Sequence, residues 1–130
     1  MKLLRIALLA TCGLALPAQA DPVYGLWRTP PDDRGIVSMI QLVDCEDHIC
    51  GRLVSTYDAE GRPLDSPHIG RTYIWDMEPR GSGRYREGRQ WLPVRDADYA
   101  ARMDLAGDRL TVTHCTLMVI CREEVWTRAN

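Results

Sequence analysis

The chain has 130 residues, a formal net charge of −2 and 45% hydrophobic residues, which suits one globular domain with a single core. This mildly acidic balance argues against nucleic acid or an anionic membrane as the main partner. The sequence shows no internal repeat, low-complexity tract or linker, so we expect one folded domain.

The first twenty residues have the three parts of a secretory signal peptide. A positive n-region with Lys2 and Arg5 precedes an apolar run over residues 6–16, and residues 18–20 read Ala-Gln-Ala, a small-residue cleavage site. The apolar run is too short to cross a bilayer, and no later run is long enough to anchor the chain. We predict cleavage after Ala20 and a soluble domain over residues 21–130 that is exported to the periplasm.

A lipoprotein signal is the alternative reading of this leader. Cys12 would then be the lipidated residue, and residues 13–20 would remain as a tether. Such signals need a small residue just before the cysteine, and Thr11 fits that position poorly.

The rest of the chain reads as a succession of short strands. In chain order these runs cover residues 23–29, 36–43, 49–57, 71–78, 85–94, 99–105, 109–115 and 121–128. The run over 99–105 alternates most cleanly between apolar and polar residues, whereas Gly88 and Pro93 interrupt the run over 85–94. Turn-forming residues separate the runs, and every connection is short enough for an antiparallel hairpin.

Eight strands with this spacing indicate an all-β sandwich or barrel. The first and last runs, which carry Trp27 and Trp126, would be left as the two free edges. Pairing them closes the sheet, and closure removes exposed edges. We therefore predict a single antiparallel, eight-stranded up-and-down barrel.

Four cysteines follow the leader, and an even number in a small exported domain indicates disulfide bonds. Cys45 and Cys50 lie near the ends of successive strands, and so do Cys115 and Cys121, so hairpins would bring each pair together. This favours Cys45–Cys50 and Cys115–Cys121. The arrangement Cys45–Cys115 with Cys50–Cys121 stays open, because sequence alone does not determine connectivity.

The residue types that carry catalysis do not form a recognisable pattern. His48 and His114 adjoin the cysteines, but their spacing is not that of a zinc site, and paired cysteines have no free thiolate. Asp76 and Glu78 alternate with apolar residues and would face solvent. No nucleophile elbow or phosphate-binding loop occurs. We expect neither enzymatic activity nor a metal or cofactor.

Aromatic residues are the strongest indication of a binding site. Tyr73, Trp75 and Met77 alternate with polar residues and would point inward, although Ile74 interrupts the alternation. If the barrel holds a pocket, we predict that Tyr73, Trp75 and Tyr99 line it, with Met103 as an adaptable apolar wall. In a barrel of eight strands the same side chains can instead fill the core.

The mature chain resembles a known family over almost its whole length. The motifs that carry the resemblance are Gly25-Leu26-Trp27-Arg28-Thr29, Cys45-x4-Cys50-Gly51-Arg52-Leu53, Pro93 with Tyr99, and Trp126-Thr127-Arg128. They are similar to those of small exported bacterial proteins grouped as domain of unknown function 2147. The family usually has Gly where this chain has Asp96, and an Ile-Tyr-Asp/Asn-Pro run where it has Gln90-Trp91-Leu92-Pro93. The resemblance implies a periplasmic β-barrel and no known activity.

A looser similarity is to lipocalins. Their first strand carries Gly-x-Trp, as in residues 25–27, and an Arg from their last strand packs over that Trp at the closed end of the barrel. Arg128 is the matching residue, and a guanidinium over an indole face contributes about 0.5–2 kcal/mol. We therefore describe the expected barrel as lipocalin-like, with Trp27 and Arg128 as its closure.

Barrel architecture and an inward aromatic stripe favour a non-catalytic protein that binds a small apolar or amphipathic molecule. The alternative is a protein–protein interaction module, such as an inhibitor of a secreted hydrolase or an envelope assembly factor. The loops over residues 30–35 and 58–70 would then make the contacts, since loops on a rigid scaffold often carry binding.

Overall fold

The computed structural model describes residue 10 and residues 12–14, 20–117 and 119–130. The predicted signal peptide lies largely outside the described residues. Within the described part of the chain, no helix combines the length and the apolar character that a membrane crossing requires.

The described residues form nine strands. In chain order they are β1 (Gly25–Arg28), β2 (Val37–Cys45), β3 (His48–Tyr57), β4 (Pro63–Leu64), β5 (Thr72–Pro79), β6 (Arg84–Leu92), β7 (Ala97–Ala106), β8 (Arg109–Thr116) and β9 (Ile120–Arg128). All of them belong to one antiparallel sheet.

Eight of these strands close into a barrel. The order around it is β1, β2, β3, β5, β6, β7, β8 and β9, and β9 pairs with β1 through Trp27 opposite Arg128 and Arg28 opposite Thr127. The predicted all-β, antiparallel, eight-stranded barrel is therefore confirmed.

The two-residue strand β4 was not expected from the sequence, which reads as a breaker from Asp58 to Gly70. β4 pairs with Thr56 and Tyr57, the last residues of β3. β5 pairs with β3 only over Ile49–Arg52, so the end of β3 would otherwise present unpaired backbone groups. Pairing with β4 gives these backbone groups hydrogen-bond partners, which explains why a strand forms in so polar a segment.

The alternation predicted for β5 is interrupted by a bulge. Ile49 pairs with Met77 and Gly51 with Ile74, so three residue steps of β5 lie opposite two of β3. Asp76 has a positive φ of 58° at this place, as a bulged residue can. Ile74 and Met77 are both fully buried as a result. Trp75, predicted to point inward, is only partly buried and packs against the edge of the core, opposite Arg89.

Both disulfides of the favoured pairing, Cys45–Cys50 and Cys115–Cys121, are present in the structure. Cys115 and Cys121 are direct partners across β8 and β9, while the other bridge clips the turn between β2 and β3. Each bridge closes a short loop, so chain entropy predicts a modest stabilisation of about 2 kcal/mol apiece.

The two ends of the barrel differ. The turns after β2, β5 and β7 lie at one end, here called the closed end, together with residues 21–24. The connections after β1, β3, β6 and β8 lie at the opposite end, here called the open end. The closed half is filled by fully buried side chains, among them Trp27, Leu42, Met77, Met103 and Leu110.

At the closed end the N-terminal segment is tied across the barrel. The Trp27 indole Nε1 donates a hydrogen bond to the Val23 carbonyl at 2.8 Å, and the Arg128 guanidinium lies 4.4 Å from the centre of the Trp27 ring. Arg128 also donates to the carbonyl oxygens of Pro22 and Tyr24 at 2.8 and 3.2 Å. The two residues predicted for barrel closure are thus in contact, and they hold the chain that covers this end.

Candidate functional site at the open end

A groove of about 270 Å³ lies at the open end and is here called the mouth groove. It combines residues of the connections that follow β1, β3 and β6 with the ends of β2 and β3. The lining residues are Asp32, Arg34, Ile36, Ser38, Leu53, Thr56, Leu64, Asp65, Ser66, Pro67, His68 and Pro93. Its lining includes both apolar and hydrogen-bonding side chains, so its surface is amphipathic. Both loops predicted to make protein contacts contribute to its wall.

The loop that connects β3 to β5 is held over a buried indole. Trp91 is almost fully buried, and the Arg71 guanidinium lies 3.7 Å from its ring centre. The His68 ring meets the same indole edge-on, with 4.9 Å between centroids. Asp96 accepts a hydrogen bond from the Trp91 Nε1 at 3.0 Å and pairs with Arg71 at 3.5 Å. One wall of the mouth groove is therefore anchored to β6 by stacking and charge.

The structure does not bring the four predicted ligand-binding residues together. Met103 is fully buried in the filled half, whereas Tyr99 is partly buried four residues away along β7, about 13 Å at the usual strand rise. Tyr73 is buried and Trp75 lies at the edge of the core. None of the four lines the mouth groove.

Three polar residues that sequence reasoning did not single out as ligand-binding face the barrel interior. Gln90 lies opposite the buried Ile74, and Glu124 lies opposite the buried Val112. Directly opposed residues share a face of the sheet, so both side chains point inward. His114 follows Val112 by two positions and shares its face. We refer to Tyr73, Gln90, His114 and Glu124 as the interior polar cluster.

Burial and nearby charges act together on the phenol of Tyr73. Burial raises the pKa of the Tyr73 phenol, and the charges of Glu124 and Asp32 raise it further. The nearby Gln90 amide opposes that rise, although no hydrogen bond of good geometry joins it to any described residue. Asp32 lines the mouth groove. Tyr73 therefore stays protonated at neutral pH.

Glu124 carries the negative charge of the interior. Its Oε1 accepts a hydrogen bond of 2.7 Å from the Nε1 of Trp126, a fully buried residue whose indole needs such a partner. The ring of Trp126 lies 6.0 Å from that of Tyr73. The cluster thus offers a carboxylate, a phenol and an amide within one aromatic setting.

Comparisons with known proteins agree with this architecture. A family model described as "Uncharacterized protein conserved in bacteria (DUF2147)" matches residues 25–128. The chain belongs to the DUF2147 family. No curated protein sequence matches the chain.

A solved structure supports the fold of this DUF2147 protein. The structure described as "Protein HP1028 from the human pathogen Helicobacter pylori belongs to the lipocalin family" superposes with a TM-score of 0.66. The two proteins share 15% sequence identity, and the match covers 82% of each chain. At this identity the likeness establishes a lipocalin-like barrel and nothing about a ligand.

The motifs that suggested DUF2147 are mostly structural in this barrel. Trp27 and Arg128 form the closed end, and Gly51 packs between core side chains. Pro93 is different, because it lines the mouth groove. Tyr73, His114 and Glu124 lie outside those motifs, and Gln90 stands where the family usually has Ile, which is one reason that the resemblance did not point to the interior polar cluster.

His114 of this DUF2147 barrel is expected to make stability depend on pH. Burial lowers the pKa of its imidazole below the ordinary value of about 6.5, and Arg122 and Arg95 lower it further, while Glu124 raises it. The unfolded chain therefore takes up the proton first, so this contribution is present above pH 6.5 and is lost as the pH falls below it. We expect the unfolding free energy of the wild type to fall more steeply below pH 6.5 than that of His114→Gln. Urea titrations between pH 5 and 8 measure this, and parallel profiles would contradict it.

Proposed function

We propose that this DUF2147 protein is a non-catalytic periplasmic protein that binds a small amphipathic molecule at the open end of its barrel. The observation that carries the proposal is the mouth groove, whose wall joins apolar residues such as Leu53 and Leu64 to charged and hydroxyl groups. Its volume of about 270 Å³ is near the lower end of the range for ligand pockets, about 300–1,000 Å³. The ligand is accordingly small. Two disulfides support an oxidising compartment such as the periplasm.

Because side chains fill the closed half of the barrel, the ligand is expected at the open end. Bulky side chains occupy the closed half, and the N-terminal segment covers it. A ligand with an apolar body and a polar group matches the amphipathic wall better than a wholly apolar molecule, because groups such as Asp32 and Arg34 would otherwise lose water without gaining a partner.

Native mass spectrometry of protein purified gently from the periplasm tests the proposal. We expect a mass excess over residues 21–130 that disappears on denaturation. Ser38→Trp should remove it, because Ser38 lines the mouth groove and an indole there fills the space. Ser55→Trp is the matched control, since Ser55 lines only an adjoining groove of about 510 Å³, which shares Thr56 and residues 64–67 with the mouth groove.

Retention of the mass excess in a folded Ser38→Trp variant would contradict binding in the mouth groove. A bare wild-type mass would contradict the carrier role altogether. It would favour a second candidate, the protein–protein interaction module, which exposed apolar residues in the connections at the same end support. Val94 in the connection after β6 and Leu117 and Val119 in the connection after β8 are 77–83% exposed. For that candidate, Leu117→Ser with Val119→Ser should abolish partner capture in a pull-down from periplasm.

A further inference from the structure

The turn between β8 and β9 is an exposed apolar segment at the open end of the barrel. Residues 117–120 read Leu-Met-Val-Ile, and Leu117, Val119 and Ile120 are 83%, 83% and 55% exposed. Folded soluble proteins avoid runs of exposed apolar residues unless a function needs them. We call Leu117, Val119 and Ile120 the apolar turn.

The requirements of the turn itself do not explain these residues. Leu117 has a φ of 51°, in the left-handed region that Gly and Asn adopt more easily than Leu. Tight turns usually carry Gly, Asn, Asp or Ser, which supply this conformation and are well hydrated. A polar residue would therefore suit both the backbone and the solvent better, so the apolar character of the turn points to a contact outside the fold.

The barrel holds the apolar turn at the end of a clipped hairpin. The Cys115–Cys121 disulfide joins the two strands just before the turn, and Thr116 pairs with Ile120. The backbone N–H of Val119 donates to the carbonyl of Leu117 at 2.8 Å. The strand that follows begins with exposed charged residues, Arg122 and Glu123. The apolar surface of this hairpin is thus confined to its tip.

We propose that the apolar turn docks the open end of the barrel on a lipid bilayer by inserting into its surface layer. A stable protein–protein interface takes about 20–30 residues a side, far more than the tip of one hairpin offers. A bilayer surface needs no complementary pocket, because apolar side chains enter it to a depth of about 5–10 Å while polar neighbours stay among the headgroups. A small apolar tip with charged flanks matches that partner.

Charge makes this docking weak and reversible. The chain is mildly acidic, so attraction to anionic headgroups does not drive binding, and apolar insertion has to supply it. The inference goes beyond the proposed ligand binding and does not depend on it. Docking by this turn brings the open end, and with it the mouth groove, to a lipid surface where amphipathic molecules are concentrated.

Sedimentation of residues 21–130 with phosphatidylcholine vesicles tests the proposal. We expect an association constant of about 10³ M⁻¹, an order of magnitude below that of a single myristoyl chain, with little dependence on salt. Leu117→Ser with Val119→Ser should lower it by at least about tenfold, because two inserted side chains are lost. Val54→Ser with Ile69→Ser is the matched control, since these apolar side chains are only 41% and 44% exposed, and should bind like the wild type.

A second variant separates docking from folding. Leu117→Asn should lower vesicle binding about fivefold, because one inserted side chain is lost. Its Tm should equal or exceed that of the wild type, because Asn adopts a positive φ readily. A lower Tm together with weaker binding would show that Leu117 serves the fold and would contradict the docking role.

The orientation of the docked protein gives an independent readout. In phosphatidylcholine bicelles that contain a spin-labelled lipid, the NMR amide signals of Leu117 and Val119 should broaden. Those of Glu46 and Gly107, in turns at the closed end, should stay sharp. Broadening at the closed end, or uniform broadening, would overturn docking by the apolar turn.

The outcomes distinguish this inference from the proposed ligand binding. Ser38→Trp, which fills the mouth groove, should bind vesicles like the wild type. Absence of vesicle binding by the wild type, or equal binding by Leu117→Ser with Val119→Ser, would overturn docking while leaving the ligand proposal in place. Capture of a periplasmic protein that depends on Leu117 and Val119, without vesicle binding, would overturn the lipid partner and favour the interaction module.

Discussion

Replacing Trp27 with alanine is expected to lower the free energy of unfolding by about 3–5 kcal/mol, the usual loss for a fully buried Trp. Three interactions disappear together: the packing of the indole, its hydrogen bond to Val23 and its contact with the Arg128 guanidinium. Arg128 also loses the ring that holds its guanidinium in place. The hydrogen bonds from this guanidinium to the N-terminal segment depend on that placement.

Urea denaturation of the two proteins measures this loss, with Trp75→Ala as the matched control. Trp75 is the same residue type on the same barrel but is only partly buried, so its truncation should cost clearly less. If Trp27→Ala does not fold, Trp27→Phe should still show a loss, because the ring nitrogen that bonds Val23 is missing. A denaturation midpoint for Trp27→Ala equal to that of the wild type would contradict the closing role of this residue.

Adding one methyl group at Gly51 is the second change with a large expected effect. Gly51 lies between Leu42 on β2 and Ile74 on β5. A Cβ atom built there would stand 2.6 Å from Leu42 Cδ2 and 2.9 Å from both Ile40 Cγ2 and Ile74 Cγ2. These separations are shorter than real carbon contacts, so Gly51→Ala should destabilise the fold by about 1–3 kcal/mol through overpacking.

A double-mutant cycle distinguishes overpacking from a general cost of changing this strand. Leu42→Ala removes the side chain nearest to the added methyl, so in that background Gly51→Ala should cost clearly less, with only Ile40 and Ile74 still crowding the methyl. The coupling between the two positions is expected to exceed 0.5 kcal/mol in magnitude, as is usual for residues in contact. Additive losses in urea titrations would show that the methyl is accommodated in some other way.

Most of the architecture could be predicted from local sequence patterns. Short apolar runs separated by Pro, Gly and Asp predict strands and hairpins without reference to the rest of the chain. The pairing of the first and last strands also followed from the sequence, because aromatic residues at both ends needed burial and two edges needed partners. The hairpin disulfides follow from the same geometry, since short turns bring the ends of neighbouring strands together.

The sequence predicted less well which face of the sheet each residue occupies. In a regular strand every second residue points inward. One inserted residue moves the side chains that follow it to the opposite face of the sheet. Asp76 is such a residue in β5, which explains why Ile74 is fully buried and Trp75 is not. Gln90 lies in the run that Gly88 and Pro93 interrupt, so its face could not be assigned before its partners across the sheet were known.

The sequence by itself therefore determined eight of the nine strands and the closed barrel, because each depends on neighbours in the chain or on the need to pair exposed edges, whereas the Trp27–Arg128 contact was expected from the similarity to lipocalins. Only the tertiary structure decided the candidate site. The mouth groove joins residues from three separate connections, and the interior polar cluster joins residues from four strands. Distances between such residues are set by the register and curvature of the whole sheet, which no local pattern encodes.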